Sequence, residues 1–124
     1  MTRVLLVDDE QDITELLEVI LKMQGYDVKS YNNPIKALGN FHEGTFDIVV
    51  LDIRMPFLNG IEVGRELRKM DSNLKIGFLT SLDLSVEEFR RFFPDIKVSF
   101  VLNKPSSAKS IVKALKEAST EQSQ

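Results

Sequence analysis

Ile48-Val49-Val50-Leu51-Asp52 is the stretch on which the fold turns. Its four apolar residues follow one another without polar alternation, so the strand they form must be covered on both faces. It ends abruptly at a carboxylate. Upstream, Val4-Leu5-Leu6-Val7 repeats the design and stops at Asp8-Asp9. Downstream, Ile76-Gly77-Phe78-Leu79 stops at Thr80, and a run over 98–102 stops just before Lys104-Pro105.

The segments between these runs carry a different period. Ile13, Leu16, Leu17, Ile20 and Leu21 recur at helical spacing, with Gly25 placed for the C-terminal cap and Asp12 and Glu15 read as the N-terminal capping box. Residues 28–31 alternate polar and apolar, as a strand at a sheet edge does. Asn33-Pro34 pairs a cap with a first-turn proline and opens a helix through Leu38 and Phe41. The loop Arg54-Met55-Pro56-Phe57-Leu58-Asn59-Gly60 leads to a helix bearing Ile61, Gly64 and Leu67. Ser85-Val86-Glu87-Glu88 is a capping box flanked by Leu84 and Phe89 as a hydrophobic staple, and its helix should end near Pro94. Of Phe89, Phe92 and Phe93, two should face inward. A last helix carries Ala108, Ile111, Val112, Leu115 and Ala118. Residues 1–118 thus read as one domain, and polar residues 119–124 as a frayed tail.

Five strands that alternate with helices imply βα units and a parallel sheet. The expected architecture is α/β and flavodoxin-like, a (βα)5 fold with five parallel strands in the order 2-1-3-4-5 and helices on both faces. That order places the alternating second strand at an edge.

Composition narrows the function. A chain of 124 residues with net charge -3 and interspersed charges shows no basic face, which argues against direct nucleic-acid binding. It has no cysteine, so disulfides, thiol catalysis and Cys-ligated zinc are excluded. A reducing compartment suits such a chain, and a cytoplasmic location is the expectation. No apolar run approaches ~18 residues, so neither a signal peptide nor a membrane span is expected. His42 reads as a surface residue near a helix end.

In open α/β sheets, ligands bind beyond the carboxyl ends of the strands. Asp8, Asp9, Asp52, Thr80 and Lys104, far apart in sequence, should therefore gather at one edge. Two carboxylates ~5 Å apart at an effective dielectric of ~20 repel by about 3 kcal/mol, so three together call for a cation. Mg²⁺ prefers hard oxygen ligands and is commonly held by one or two carboxylates plus phosphate. A carboxylate can act as the nucleophile that forms an acyl phosphate. Thr80 can donate to a phosphoryl oxygen and Lys104 can supply a point charge. Each residue alone has a plainer reading, an Asp at a strand end being most often a cap or turn residue. What lifts the set above that reading is that every member falls at the same end of its strand.

Val4-Leu5-Leu6-Val7-Asp8-Asp9-Glu10 and Asp47-Ile48-Val49-Val50-Leu51-Asp52-Ile53-Arg54-Met55-Pro56, with Asn59-Gly60, Thr80-Ser81 and Lys104-Pro105, resemble the receiver domains of two-component response regulators over essentially the whole chain. The resemblance implies that Asp52 is the phosphoacceptor. Asp9, Asp52 and the backbone carbonyl of Arg54 would bind Mg²⁺, with Asp8 acting partly through water. Thr80 and Lys104 would contact the phosphoryl group. The donor would be a phosphohistidine on a sensor histidine kinase or phosphotransfer protein, and the output a changed affinity for a downstream protein partner. The family commonly has a cis peptide at the position of Lys104-Pro105.

Two departures bear on output. The family places an aromatic switch residue three positions before the lysine; here that position is Val101, and the aromatic is Phe100, which by strand alternation should face the other way. Phe93-Pro94-Asp95 also replaces the small turn usual before the fifth strand. Two other readings compete with a signalling switch. An aspartyl-phosphate phosphohydrolase needs an acid two residues after its nucleophile, where this chain has Arg54, which cannot serve as a general acid. A receiver that has lost its acceptor and acts only by binding would not retain every acceptor-site residue.

Overall fold

The computed structural model describes residues 2–104 and 108–120. The chain alternates β1 (Arg3–Val7), α1 (Gln11–Met23), β2 (Asp27–Tyr31), α2 (Pro34–Gly39), β3 (Ile48–Asp52), α3 (Gly60–Met70), β4 (Lys75–Thr80), α4 (Val86–Phe92), β5 (Val98–Asn103) and α5 (Ala108–Thr120). All strand pairs are parallel and their order is β2-β1-β3-β4-β5, as the hydrophobic pattern predicts. β3 is buried at every position, whereas β2, at the edge, alternates.

The sheet divides the core into two layers. On one side Leu5, Val7, Val49, Leu51, Ile76 and Phe78 meet Ala37 of α2, Leu67 of α3 and Phe89 of α4. On the other, Val4, Leu6, Ile48, Val50 and Leu79 meet Leu17 and Leu21 of α1 and Ile111 and Leu115 of α5. Successive strand residues supply opposite layers, so both must be apolar, which is why these strands read as unbroken hydrophobic runs.

Among the helices whose N-caps are described, the starts follow their capping chemistry, α1 excepted. Ser85 accepts from Glu88 N while Glu88 reaches back to Ser85 N, closing the expected box on α4. Asn33 caps α2 and Asn59 caps α3. The exception is α1, which begins at Gln11 with Glu10 at the N-cap; Asp12 lies inside the first turn. There its charge favours the helix dipole without capping. Phe89 and Phe93 turn inward while Phe92 is exposed. α2 ends at Gly39, before Phe41, which is nevertheless buried. α5 continues through Thr120, two residues past the expected domain end, and 121–124 lie outside the described residues. Pro105, and with it the expected cis bond, also lies outside them.

The pairing of β4 with β5 contains a slip. Ile76 pairs with Val98, but Gly77 pairs with Phe100, leaving Ser99 as an extra residue. The bulge turns Phe100 into the α1/α5 layer and Val101 toward the α4 layer. The Phe100 ring lies so close over Gly77 that a Cβ there would be 2.2 Å from it. A glycine in mid-strand weakens a sheet unless something approaches its backbone, and here a ring does.

This interlock is testable by a double-mutant cycle. Gly77→Ala alone should cost about 1–3 kcal/mol through overpacking. Combined with Phe100→Leu, the loss should fall below the sum of the single losses by at least ~0.5 kcal/mol. Strict additivity in urea melts would show that the ring does not require the glycine.

Candidate functional site

Three strand ends and the turn after β1 supply the site. Asp52 closes β3 and Asp8 follows β1; both are buried, Asp52 with 4% of its surface exposed. Lys104 follows β5 and reaches back across the sheet edge. Its Nζ donates to Asp8 Oδ2 at 2.9 Å, to Asp52 Oδ2 at 3.0 Å and to Glu10 Oε1 at 3.2 Å. Carboxylates from both ends of the first half of the chain, Asp8 and Glu10 beside β1 and Asp52 at the end of β3, thus share one ammonium group, as the sheet topology allows.

The backbone around Asp52 is pinned. Ile53 N donates to Leu79 O at 2.9 Å, and Arg54 N approaches Asp52 Oδ1 at 3.4 Å. Gly60 opens α3 directly against the Asp52 carbonyl, where a Cβ would be 2.3 Å from that oxygen. Any larger residue at 60 would push the loop off the acceptor strand. Asp8 is held in turn by Asn32, whose Nδ2 donates to Asp8 O at 2.8 Å and to Thr14 Oγ1 at 2.8 Å. Thr80 is fully buried at the end of β4; its Oγ1 accepts from Leu82 N at 3.0 Å, and its carbonyl accepts from Lys104 N at 2.6 Å.

Of the predicted residues, Asp8, Asp52 and Lys104 are in direct contact or share a partner, and Thr80 joins Lys104 through its backbone. Asp9 is exposed, as is Arg54. Among the described residues, the carboxylate oxygens gathered within 4.8 Å of one another belong to Asp8, Glu10 and Asp52. Glu10 is the residue that sequence reading passed over. The chain bends at Asp9, Glu10 N donates to Asp8 Oδ1 at 3.0 Å, and Glu10 Oε1 accepts from Lys104 Nζ at 3.2 Å, so this turn brings Glu10 back beside Asp8. Residue types alone carried no signal for that turn.

Charge in this cluster is under-neutralised. Burial pushes the Asp52 carboxyl up to about 6, with the Asp8 charge adding to the shift and the Lys104 hydrogen bond opposing it. Lys104 is raised above the ordinary lysine range: burial lowers it, but its bonds to Asp8 and Asp52 outweigh that. The two directions look inconsistent for a single ion pair. They agree once the sharing is counted, because Lys104 has several anions to itself while Asp52 has only a share of one cation. The arrangement offers a desolvated carboxylate nucleophile, a neighbouring ammonium, a buried hydroxyl and a cluster of hard oxygen donors.

Residues 4–116 match the family model described as response regulator receiver domain. The chain is 44% identical over 81 residues to a transcriptional regulatory protein, a CpxR homolog of Haemophilus influenzae, covering 65% of this chain and 35% of that protein. It is 34% identical over 110 residues to the alkaline phosphatase synthesis transcriptional regulatory protein PhoP of Bacillus subtilis, covering 88% of this chain and 45% of that protein. The chain therefore spans less than half the length of these two relatives. Among solved structures it is similar to the non-phosphorylated HemR receiver domain of Leptospira biflexa, with TM-score 0.88 and 27% identity, covering 100% of this chain and 98% of that one. It is also similar to the response regulator TrrA of Thermotoga maritima in complex with Mg²⁺ and BeF, with TM-score 0.80 and 33% identity, covering 95% and 99%. No helix among the described residues is long and apolar enough to cross a membrane.

A carboxyl raised to about 6 in the fold from an ordinary ~3.9 binds its proton more tightly folded than unfolded. Stability then falls as pH rises between those values, and the full penalty is present above about 6. With chelator present, Asp52→Asn should melt several degrees above wild type at about pH 8, an advantage that shrinks between about 6 and about 4 as the pH is lowered. A variant that melts no higher than wild type at about pH 8 would mean that Lys104 fully compensates the buried charge.

Proposed function

This chain belongs to the receiver domains of two-component response regulators, and from that premise we propose that Asp52 accepts the phosphoryl group. Receiver domains are signalling switches that take phosphoryl groups from histidine kinases. One observation carries the assignment to Asp52: it is a buried carboxylate at the end of the central strand, 3.0 Å from Lys104 Nζ and clustered with the oxygens of Asp8 and Glu10.

In the proposed reaction an Asp52 oxygen forms a bond to phosphorus as the bond from phosphorus to the donor histidine nitrogen breaks, and that nitrogen leaves with the electron pair. Lys104 Nζ, already beside the nucleophile, neutralises phosphoryl oxygens as they arrive. Thr80 accepts from Leu82 N, which leaves its hydroxyl proton for donation to the phosphoryl group. Burial of Asp52 strips the nucleophile of water before the donor docks.

The donor set fits Mg²⁺: carboxylate oxygens of Asp8, Glu10 and Asp52 within 4.8 Å of one another form a hard, anionic cluster carrying more negative charge than Lys104 cancels. Asp8, Asp52, Asp9 and the Arg54 carbonyl are the proposed ligands, with Glu10 added by the geometry. When bound, the ion would screen the carboxylates from the incoming phosphoryl charge. We assign the same site slow self-dephosphorylation and phosphorylation by small acyl phosphates, a cytoplasmic location, and an output through a downstream protein partner.

Incubation with acetyl phosphate and Mg²⁺ should add one phosphoryl mass to the intact protein, and chelator should prevent it. Asp52→Asn should abolish the increase while Asp12→Asn leaves it intact. Incorporation that persists in Asp52→Asn would falsify the assignment.

A further inference from the structure

The loop after β3 leaves Asp52 and comes back to it. Gly60 N donates to Ile53 O at 2.8 Å, and Gly60 abuts the Asp52 carbonyl, so both ends of the loop are fixed on the acceptor's own peptide. Between them Met55 and Leu58 pack against the core layer of α2, α3 and α4, whereas Pro56 and Phe57 are held out. Leu58 N donates to Pro56 O at 2.9 Å, closing a three-residue turn centred on Phe57, whose φ is +74°. This is the classic form of the γ-turn, the rare and strained one. Among the described residues other than glycine, Phe57 is the one with positive φ. A left-handed backbone is costly for a ring-bearing residue and persists only where its surroundings impose it. No burial of the ring offsets that cost, since 79% of Phe57 is exposed.

Phe57 stands three residues from Gly60, so their Cα atoms are at most about 11 Å apart. A protein that brings a phosphohistidine to buried Asp52 must lay its surface over this rim. A large ring held out on a short loop with anchored ends is the kind of aromatic contact on which interfaces depend. We infer that Phe57 is a docking anchor for the protein phosphodonor, seating its ring in an apolar patch beside the donor's phosphohistidine and so setting which donor is accepted. The inference rests on the reading of Asp52 as acceptor. The ring acts on recognition and takes no part in the transfer itself.

Wild type, Phe57→Ala and Phe57→Gly are loaded with acetyl phosphate and, in parallel, offered the autophosphorylated histidine kinases of the same genome. Both variants should load from acetyl phosphate within about twofold of wild type. With the kinase that serves wild type best, the receiver concentration for half-maximal transfer should rise about tenfold while the limiting rate changes little. Phe57→Gly should melt no lower than wild type, because glycine relieves the turn. The inference is overturned by unchanged kinase transfer in both variants, by a parallel loss with acetyl phosphate, by a Phe57→Gly melting temperature several degrees lower, or by a wild type that loads from acetyl phosphate but from no kinase. A wild type that acetyl phosphate cannot load removes the acceptor reading, and the inference with it.

Discussion

One ammonium group divided among three carboxylates governs the carboxyl edge of this sheet. Lys104 Nζ meets Asp8, Asp52 and Glu10 at once, and two of those acids are buried. A buried charge with only part of a partner is expensive, so the surrounding structure must hold every member in place. That requirement explains the density of backbone bonds nearby: Ile53 N to Leu79 O on one side of the acceptor, and Lys104 N to Thr80 O on the other. It also explains Asn32, which ties the end of β2 to the Asp8 carbonyl and to Thr14 in the first turns of α1. The cost is borne by the two apolar layers on either side of the sheet. A residual negative charge is left over, and it makes the site a receptor for cations and for groups delivered with them.

Element order, strand order and the buried faces were legible because period and burial are tied directly in parallel sheets. An unbroken run such as residues 48–51 has few alternatives once flanked by helical periods. The membership of Asp8, Asp52, Thr80 and Lys104 at one edge followed from topology alone. What escaped was local. Asp12 and Glu15 match a capping box by residue type, yet α1 starts earlier because Glu10 already closes the turn after β1. The exchange of Asp9 for Glu10 in the oxygen cluster depends on the turn after Val7, where the chain bends at Asp9 and Glu10 N bonds the Asp8 carboxylate, a turn that residue types do not reveal. The Phe57 turn was invisible for a similar reason: nothing in Pro56-Phe57-Leu58 demands a positive φ, and only the anchoring of Met55 and Leu58 imposes it.

The loop between Asp52 and Gly60 shows how rigidity and exposure can be combined on few residues. Its two ends are fixed by close backbone approach and its interior by two apolar side chains, so the remaining exposed positions cannot relax independently. Such a loop is tied at both ends to the acceptor strand, through the bond from Gly60 N to Ile53 O and the close approach of Gly60 to the Asp52 carbonyl.

The slip at Ser99 has a consequence for any comparison of this chain with its relatives. Residues counted backward from Lys104 and residues counted forward from Val98 fall out of phase by one, so the two conventions assign opposite sides of the sheet to the same position. An alignment anchored at the beginning of β5 would place Phe100 under α4, whereas one anchored at its end places it against α1 and α5, where the ring actually lies. Sequence positions in β5 therefore transfer between homologues only when the location of the extra residue is transferred with them.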